Sequence, residues 1–203
     1  MRRTKRDRYH HGDLRVALID AAVELIAEHG VQAFSLAEAS RRLGVAASAP
    51  YRHFADRNEL LVAAGVRACE VLVATVAAES VAIDGPSGQL AAAARGYVRF
   101  AAENRALFEI IFGTALDRSS HPELERAAEP VKSAFQTAAR ALCDGDPFAA
   151  DRLAVAVAAT AHGHADLLAG DAFGADGLTE AIERTEAATL ALVAGRDALR
   201  APR

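Results

Sequence analysis

Two stretches of this 203-residue chain carry side chains that could do chemistry. The first runs from Arg41-Arg42 through Ala47-Ser48-Ala49 to Tyr51-Arg52-His53, with Ser35 before it and Arg57 after it. If two short helices pair across Gly44, the residues left facing out are Ala47, Ser48, Ala49, Arg52 and His53. That polar-to-small surface with basic edges suits DNA better than a protein groove, because cations and hydroxyls bind phosphate oxygens. The second stretch is Thr160-Ala161-His162-Gly163-His164-Ala165-Asp166. On a helix His162 and His164 point in nearly opposite directions and cannot easily share a metal. His162 and Asp166, four apart, can, but they supply only two ligands, and no HExxH is present. No metal, no cofactor and no catalytic residue is expected. An enzyme built on His162, His164, Asp166 and Glu109 is the weaker reading.

The elements that must position the first cluster are helical. Leu14, Leu18, Ala21/Ala22 and Leu25 repeat at helical spacing, which predicts a first helix over about 13–29, capped by Asp13 and ended by Gly30. Ser35-Leu36-Ala37-Glu38 reads as a capping box opening a short second helix to Leu43, with Gly44 as the turn. A third short helix is predicted over about 47–54, with Pro50 in its first turn. Leu36, Ala39, Leu43, Val45, Tyr51 and Phe54 are the expected contacts to the first helix. Asp56-Arg57-Asn58-Glu59 reads as a second capping box before a long helix to about Ser80. Two short helices joined by a tight glycine turn are the geometry that lays a second helix in the major groove. The fold class is all-α, with about nine helices: an N-terminal three-helix helix-turn-helix domain and a helical C-terminal ligand-binding and dimerisation domain.

Phe34-Ser35-Leu36-Ala37-Glu38, Leu43-Gly44-Val45 and Ala49-Pro50-Tyr51-Arg52-His53-Phe54-Ala55-Asp56-Arg57-Asn58-Glu59-Leu60-Leu61 resemble the DNA-binding domain of TetR/AcrR-type regulators. The resemblance is dense over about 10–70 and architectural beyond. It implies that Tyr51 and His53 touch phosphates, that Ala47, Ser48 and Ala49 lie nearest base edges, that Arg57 contacts phosphate, and that Ser35 caps the second helix and reaches phosphate. Arg41 and Arg42 would add electrostatic pull. Two positions depart from the family pattern. Ala46 replaces the usual hydroxyl residue of the turn, and the base-edge positions carry few hydrogen-bonding groups. Contact with thymine methyls, or reading of DNA shape, is then left to supply specificity.

The remaining helices are expected at about 89–103, 105–112, 123–142, 147–169 and 178–199, with a loop over 84–88. Tyr97, Phe100, Phe108, Phe112 and Phe135 could line an apolar pocket; a plain helical core is the other reading. The resemblance puts a ligand pocket in this half, with His162 beside it, and His162-Gly163 resembles the His-Gly ("WHG") signature of one subgroup, with Ala161 where a Trp often stands. The last two long helices should form a homodimer interface, with Leu178, Ile182, Thr185, Thr189 and Leu192/Val193 as the stripe on the final helix.

The expected organisation is a basic arm at 1–9, a helix-turn-helix domain at 10–70 with its motif at about 34–53, and a ligand-binding and dimerisation domain at 71–203. The net charge is −4, but residues 1–60 carry ten basic and eight acidic side chains and are +2, while the rest is −6. Positive charge is thus concentrated at the end that would meet phosphate. Cys69 and Cys143 form no CxxC pair and read as small buried hydrophobes. No signal peptide follows the basic N-terminus and no run of about 18 uncharged apolar residues occurs, so a cytoplasmic protein without a membrane partner is expected. The function implied is a homodimeric repressor of a pseudo-palindromic operator, released by a small, largely apolar effector. An activator or nucleoid-type protein of the same fold is the alternative.

Overall fold

The computed structural model describes residues 11–113, 116 and 120–200, with side chains from residue 14 onward; the basic arm lies outside them. Every regular element among the described residues is helical. In order they are α1 His11–His29, α2 Leu36–Leu43, α3 Arg57–Glu79, α4 Pro86–Glu103, α5 Arg105–Phe112, α6 Pro122–Leu142, α7 Pro147–Ala169 and α8 Gly177–Ala194. Short 3-10 turns lie at Pro50–Arg52, Gly174–Asp176 and Arg196–Leu199. The chain forms two compact units, Met1–Ala68 with Ala106–Leu124, and Cys69–Arg105 with Glu125–Arg203.

In the first unit, Leu18, Ala22, Leu25 and Ile26 of α1 are buried and α1 packs against α2. Helix α1 begins at His11, so Asp13 stands inside its first turn and is not its cap. Gly30 ends the helix at φ +78°, a conformation that costs glycine nothing, and its N–H reaches the Ile26 carbonyl at 2.8 Å. The Ser35 hydroxyl caps α2 by accepting the Glu38 N–H at 3.2 Å. Only half of the expected capping box forms, because the Glu38 carboxylate turns to Arg41.

The expected helix over 47–54 is not an α-helix. Pro50 has no N–H to give the Ala46 carbonyl, which accepts instead from Ala49 at 2.9 Å. The segment closes as tight turns and the single 3-10 turn Pro50–Arg52. Tyr51, expected among the packing residues, is 61% exposed, while Pro50 and Phe54 point inward. Asp56 caps α3: its Oδ1 accepts the Glu59 N–H at 2.9 Å, while the Glu59 carboxylate reaches one residue past the cap to accept the Ala55 N–H. At Gly65 a Cβ would stand 2.8 Å from Leu124 and 3.2 Å from Leu116, so Leu116 and the start of α6 lie close against α3.

Helix α3 is long and apolar enough to cross a membrane by length and composition. It carries Arg67 and Glu70 within it, and Leu60, Leu61, Ala64, Ala68, Leu72 and Val76 are buried in the fold.

The second unit is built around α4, which packs against α7 and α8. Helix α4 begins at Pro86 and not near Gln89, because Gly85 at φ +75° turns the chain and Pro86 supplies a preset first-turn φ. Helix α8 stops at Ala194, followed by Gly195 and the 3-10 turn; Arg196 Nε donates to the Leu142 carbonyl at 2.7 Å. Of the stripe expected to face a second copy, Thr185, Thr189 and Val193 are buried core, while Leu178, Ile182 and Leu192 are half-buried. Each threonine hydroxyl bonds the carbonyl one turn back, which satisfies it within an apolar contact. The exposed apolar side chains of these helices are Phe148, Val155 and Leu167 on α7 and Leu190 on α8.

Within this unit α3 and α4 meet at Gly96, where a Cβ would lie 2.7 Å from Val76 Cα. Around that contact Glu79 pairs with Arg95 (3.4 Å) and Arg99 (2.5 Å), and Arg95 reaches Glu186 of α8 at 3.0 Å. The bond to Glu79 raises the pKa of Arg99 further. Gly96→Ala should force the two backbones apart and lower the unfolding free energy by about 1–3 kcal/mol, measured by urea denaturation.

Candidate nucleic-acid interface

Ala46, Ala47, Ser48, Tyr51 and Arg52 are exposed around the 3-10 turn, and Ala49 and His53 are half-buried. The buried Pro50 and Phe54 fix this tip to the unit beneath it. Gly44, at φ +66°, lets α2 end abruptly and the chain reverse into the tip. Residues 46–53 of the predicted cluster are thus brought together around one exposed turn, while Ser35, Arg41, Arg42 and Arg57 stand outside it on α2, its cap and the start of α3.

Tyr51 presents its ring to solvent. His53 is held differently, with its Nε2 buried and without a hydrogen-bond partner among the described residues. A buried polar atom left unpaired costs free energy. Turning the ring toward an incoming phosphate would relieve it.

The cations are mostly engaged. Arg41 forms a two-pronged bond to Glu38 at 3.0 and 3.1 Å, three residues back on α2. Arg42 reaches across to α1 and binds Glu28 and Glu24. Its hydrogen bond holds the Glu28 carboxyl below the usual carboxylate range. Both pairs are exposed, so they are weak and phosphate can compete for them. Arg57 is committed more deeply: Nε donates to the Phe34 carbonyl at 2.9 Å, Nη2 to the Val31 carbonyl, and the guanidinium lies over the Phe34 ring at 5.5 Å. It ties the start of α3 to the α1–α2 connection. Ser35 is engaged as the α2 cap.

Arg15 escaped the sequence reading. It lies on the exposed side of α1, with its guanidinium 5.1 Å over the ring of Phe54, the residue following His53. Nothing in its local sequence marks it; only the packing of α1 against the tip places a cation there.

The aromatic residues expected to line a pocket divide between the two units. Tyr97, Phe100 and Phe135 are buried in the core of the second unit. Phe108 and Phe112 belong to the first unit, where their rings sit 4.9 Å apart. The helix breaks at Asn104, so Phe100 and Phe108 fall on different helices. An open groove of about 600 Å³ lies elsewhere in the second unit, between the end of α3, the start of α4 and α6, lined by Ser80, Pro86, Gln89, Pro130, Ser133 and Thr137 among others. None of the expected pocket residues lines it.

The two histidines of α7 serve different helices. His162 Nδ1 lies 2.8 Å from the Tyr97 hydroxyl of α4, and its Nε2 is 3.8 Å from Asp166. His164 Nδ1 lies 2.7 Å from the Thr185 hydroxyl of α8, beside Phe173. Since Thr185 donates its only proton to the Ala181 carbonyl, His164 must donate through Nδ1. Burial, and secondarily the Arg184 charge, lower the pKa of His164.

Comparisons with known proteins agree with this architecture. Residues 18–64 match the model of the bacterial regulatory proteins of the tetR family, and residues 90–193 match the tetracyclin repressor-like C-terminal domain. No curated protein matches the chain. Among solved structures, a protein of unknown function from Rhodococcus sp. RHA1 is 29% identical with a TM-score of 0.79, over 93% of this chain and 98% of that one. A TetR-like transcriptional regulator from the same organism is 18% identical with a TM-score of 0.71, over 93% and 100%. The fatty acid degradation regulator FadR of Bacillus halodurans is 16% identical with a TM-score of 0.69, over 87% and 94%.

Two outcomes are expected. Arg57→Lys keeps the charge but cannot span both carbonyls, so it should destabilise the protein by about 1–3 kcal/mol in urea with no DNA present. Because the folded pKa of His164 is depressed, the unfolded chain takes the proton first. Its contribution is full above the unfolded value of ~6.5 and is lost as pH falls through the lower folded pKa. Urea midpoints compared at pH 7.5 and 5 should fall less for His164→Asn than for the parent chain.

Proposed function

Because the chain belongs to the TetR family of bacterial regulators, with a DNA-binding and a ligand-binding domain, we propose that it is a cytoplasmic, homodimeric repressor that a small, largely apolar effector releases from a pseudo-palindromic operator. The observation that carries the reading is the exposed tip 46–53, where small side chains stand between Tyr51, Arg52 and the cations of α1 and α2. In this reading Ala47, Ser48 and Ala49 meet base edges, while Tyr51, His53 and Arg15 meet phosphates. Arg41 and Arg42 exchange their carboxylate partners for phosphate. Ser35 and Arg57 hold the tip in place more than they touch DNA.

A single tip contacts few base pairs, so two copies acting on paired half-sites give the needed affinity. We assign the second copy to α7 and α8, which leave Phe148, Val155, Leu167 and Leu190 exposed. Gly163 lies on the same helix. Glycine costs a helix about 1 kcal/mol relative to alanine, yet nothing lies within 4 Å of where its Cβ would stand. Among the described residues no contact demands a glycine there; close approach of a partner helix would. Effector binding is coupled to DNA by population shift through α3, which runs from one unit into the other, and it moves operator affinity only by its differential affinity for the two states.

The test is selection of bound duplexes from a random DNA pool, followed by affinity across salt. One enriched pseudo-palindromic sequence is expected, with affinity falling steeply as salt rises. Tyr51→Ala with His53→Ala should abolish the enrichment while the fold, by circular dichroism, persists. Val155→Glu with Leu190→Glu should give a monomer by sedimentation and lose the same binding. Enrichment that survives the first pair would move the DNA surface elsewhere.

A further inference from the structure

The tip is nearly bare of base-reading hydrogen-bonding groups. Ala46, Ala47 and Ser48 are its exposed residues ahead of the 3-10 turn. The long polar side chains next to it in sequence already have partners outside the tip, and those that exchange them go to phosphate in the reading above. Arg41 is paired with Glu38, Arg42 with Glu28 and Glu24, and the Arg57 fork with the Phe34 and Val31 carbonyls. Of the exposed tip, a single hydroxyl, that of Ser48, precedes the turn, and serine bonds either base edge without discriminating well. Arg52 stands beyond the buried Pro50, beside Tyr51.

Besides Ser48, what the exposed tip offers ahead of the turn is two methyl groups. A methyl cannot read donors and acceptors, but it can bury another methyl. Among the unmodified bases only thymine offers an apolar group to the major groove, its C5-methyl. Resting on the reading of this tip as the DNA-binding surface, we propose that Ala46 and Ala47 specify the operator by packing on pyrimidine C5-methyls, so that the bases recognised at the centre of each half-site are thymines. The ligand chemistry is the methyl itself, which 5-methylcytosine also carries. Arg52 belongs with Tyr51 on the phosphates and reads no guanine.

The experiment uses the full-length protein and the duplex that selection enriches. Each thymine is replaced in turn by deoxyuridine, which removes only the methyl. Each guanine is replaced by 7-deazaguanine, which removes only the N7 acceptor. At one or two thymines per half-site, deoxyuridine should weaken binding about four-fold per methyl lost, the worth of one buried methylene-sized group. Placing 5-methylcytosine at that position should weaken binding less than unmethylated cytosine does. Ala46→Gly and Ala47→Gly, both on exposed turn residues, should bind the thymine duplex more weakly and lose their sensitivity to deoxyuridine, a coupling that a double-mutant cycle reads directly. An enriched duplex indifferent to deoxyuridine at every thymine overturns methyl reading and leaves DNA binding standing. Sensitivity confined to 7-deazaguanine makes Arg52 the reader and overturns it equally. Failure of any sequence to enrich overturns the DNA-binding reading, and this one with it.

Discussion

Helix α4 is the axis of the second unit, and it can be so because its side chains are small. Ala91, Ala92, Ala93 and Ala94 are buried in succession, and Gly96 meets the backbone of Val76 with no room for a Cβ. Close helix approach multiplies weak dispersion contacts along the whole interface. It also brings polar groups within reach of one another: Glu79 between Arg95 and Arg99, Glu186 against Arg95, and Tyr97 against His162. These half-buried pairs are satisfied because the backbones are close. A larger residue at position 96 would open the contact and leave the charges poorly paired.

The first unit depends on caps and turns more than on a large core. Gly30, Gly44 and Pro50 each remove a conformational choice, and Ser35 and Asp56 each satisfy a helix N–H that has no partner in its own helix. Arg57 closes the arrangement by bridging two carbonyls of the α1–α2 connection. A residue that family resemblance places on phosphate is thus occupied in holding the frame. The same economy appears in Arg41 and Arg42, whose carboxylate partners keep them oriented on the surface where screening leaves the pairs easily exchanged.

Helices whose boundaries are set by local chemistry were legible in the sequence. Gly30, Gly44, the Ser35 cap, the Asp56 cap and the Pro147 and Leu142 ends all stand where side-chain chemistry puts them. The 47–54 segment closes as a single 3-10 turn and not as an α-helix because Pro50 offers no N–H to the Ala46 carbonyl, and α4 starts at Pro86 because Gly85 and Pro86 form a start signal within a stretch that reads as a loop. The family assignment was legible as well, since the motif from Phe34 to Leu61 is long and local.

Local sequence chemistry is enough to make every regular element among the described residues helical, to separate α2 from a small-residue tip by a glycine turn, and to set Tyr51, Arg52 and His53 beside that tip. Each of these follows from interactions within a few residues along the chain. Tertiary structure alone decided which apolar face of α8 is core, since Thr185 and Val193 on one side and Leu190 on another are equally compatible with a helix. It alone divided the aromatics Phe100 and Phe108 between units, placed Arg15 over Phe54, and turned Arg57 inward. A helix repeats its faces every few residues, so periodicity reports that a face is apolar but not what lies against it. That choice is made by the packing partner, and the partner is distant in sequence.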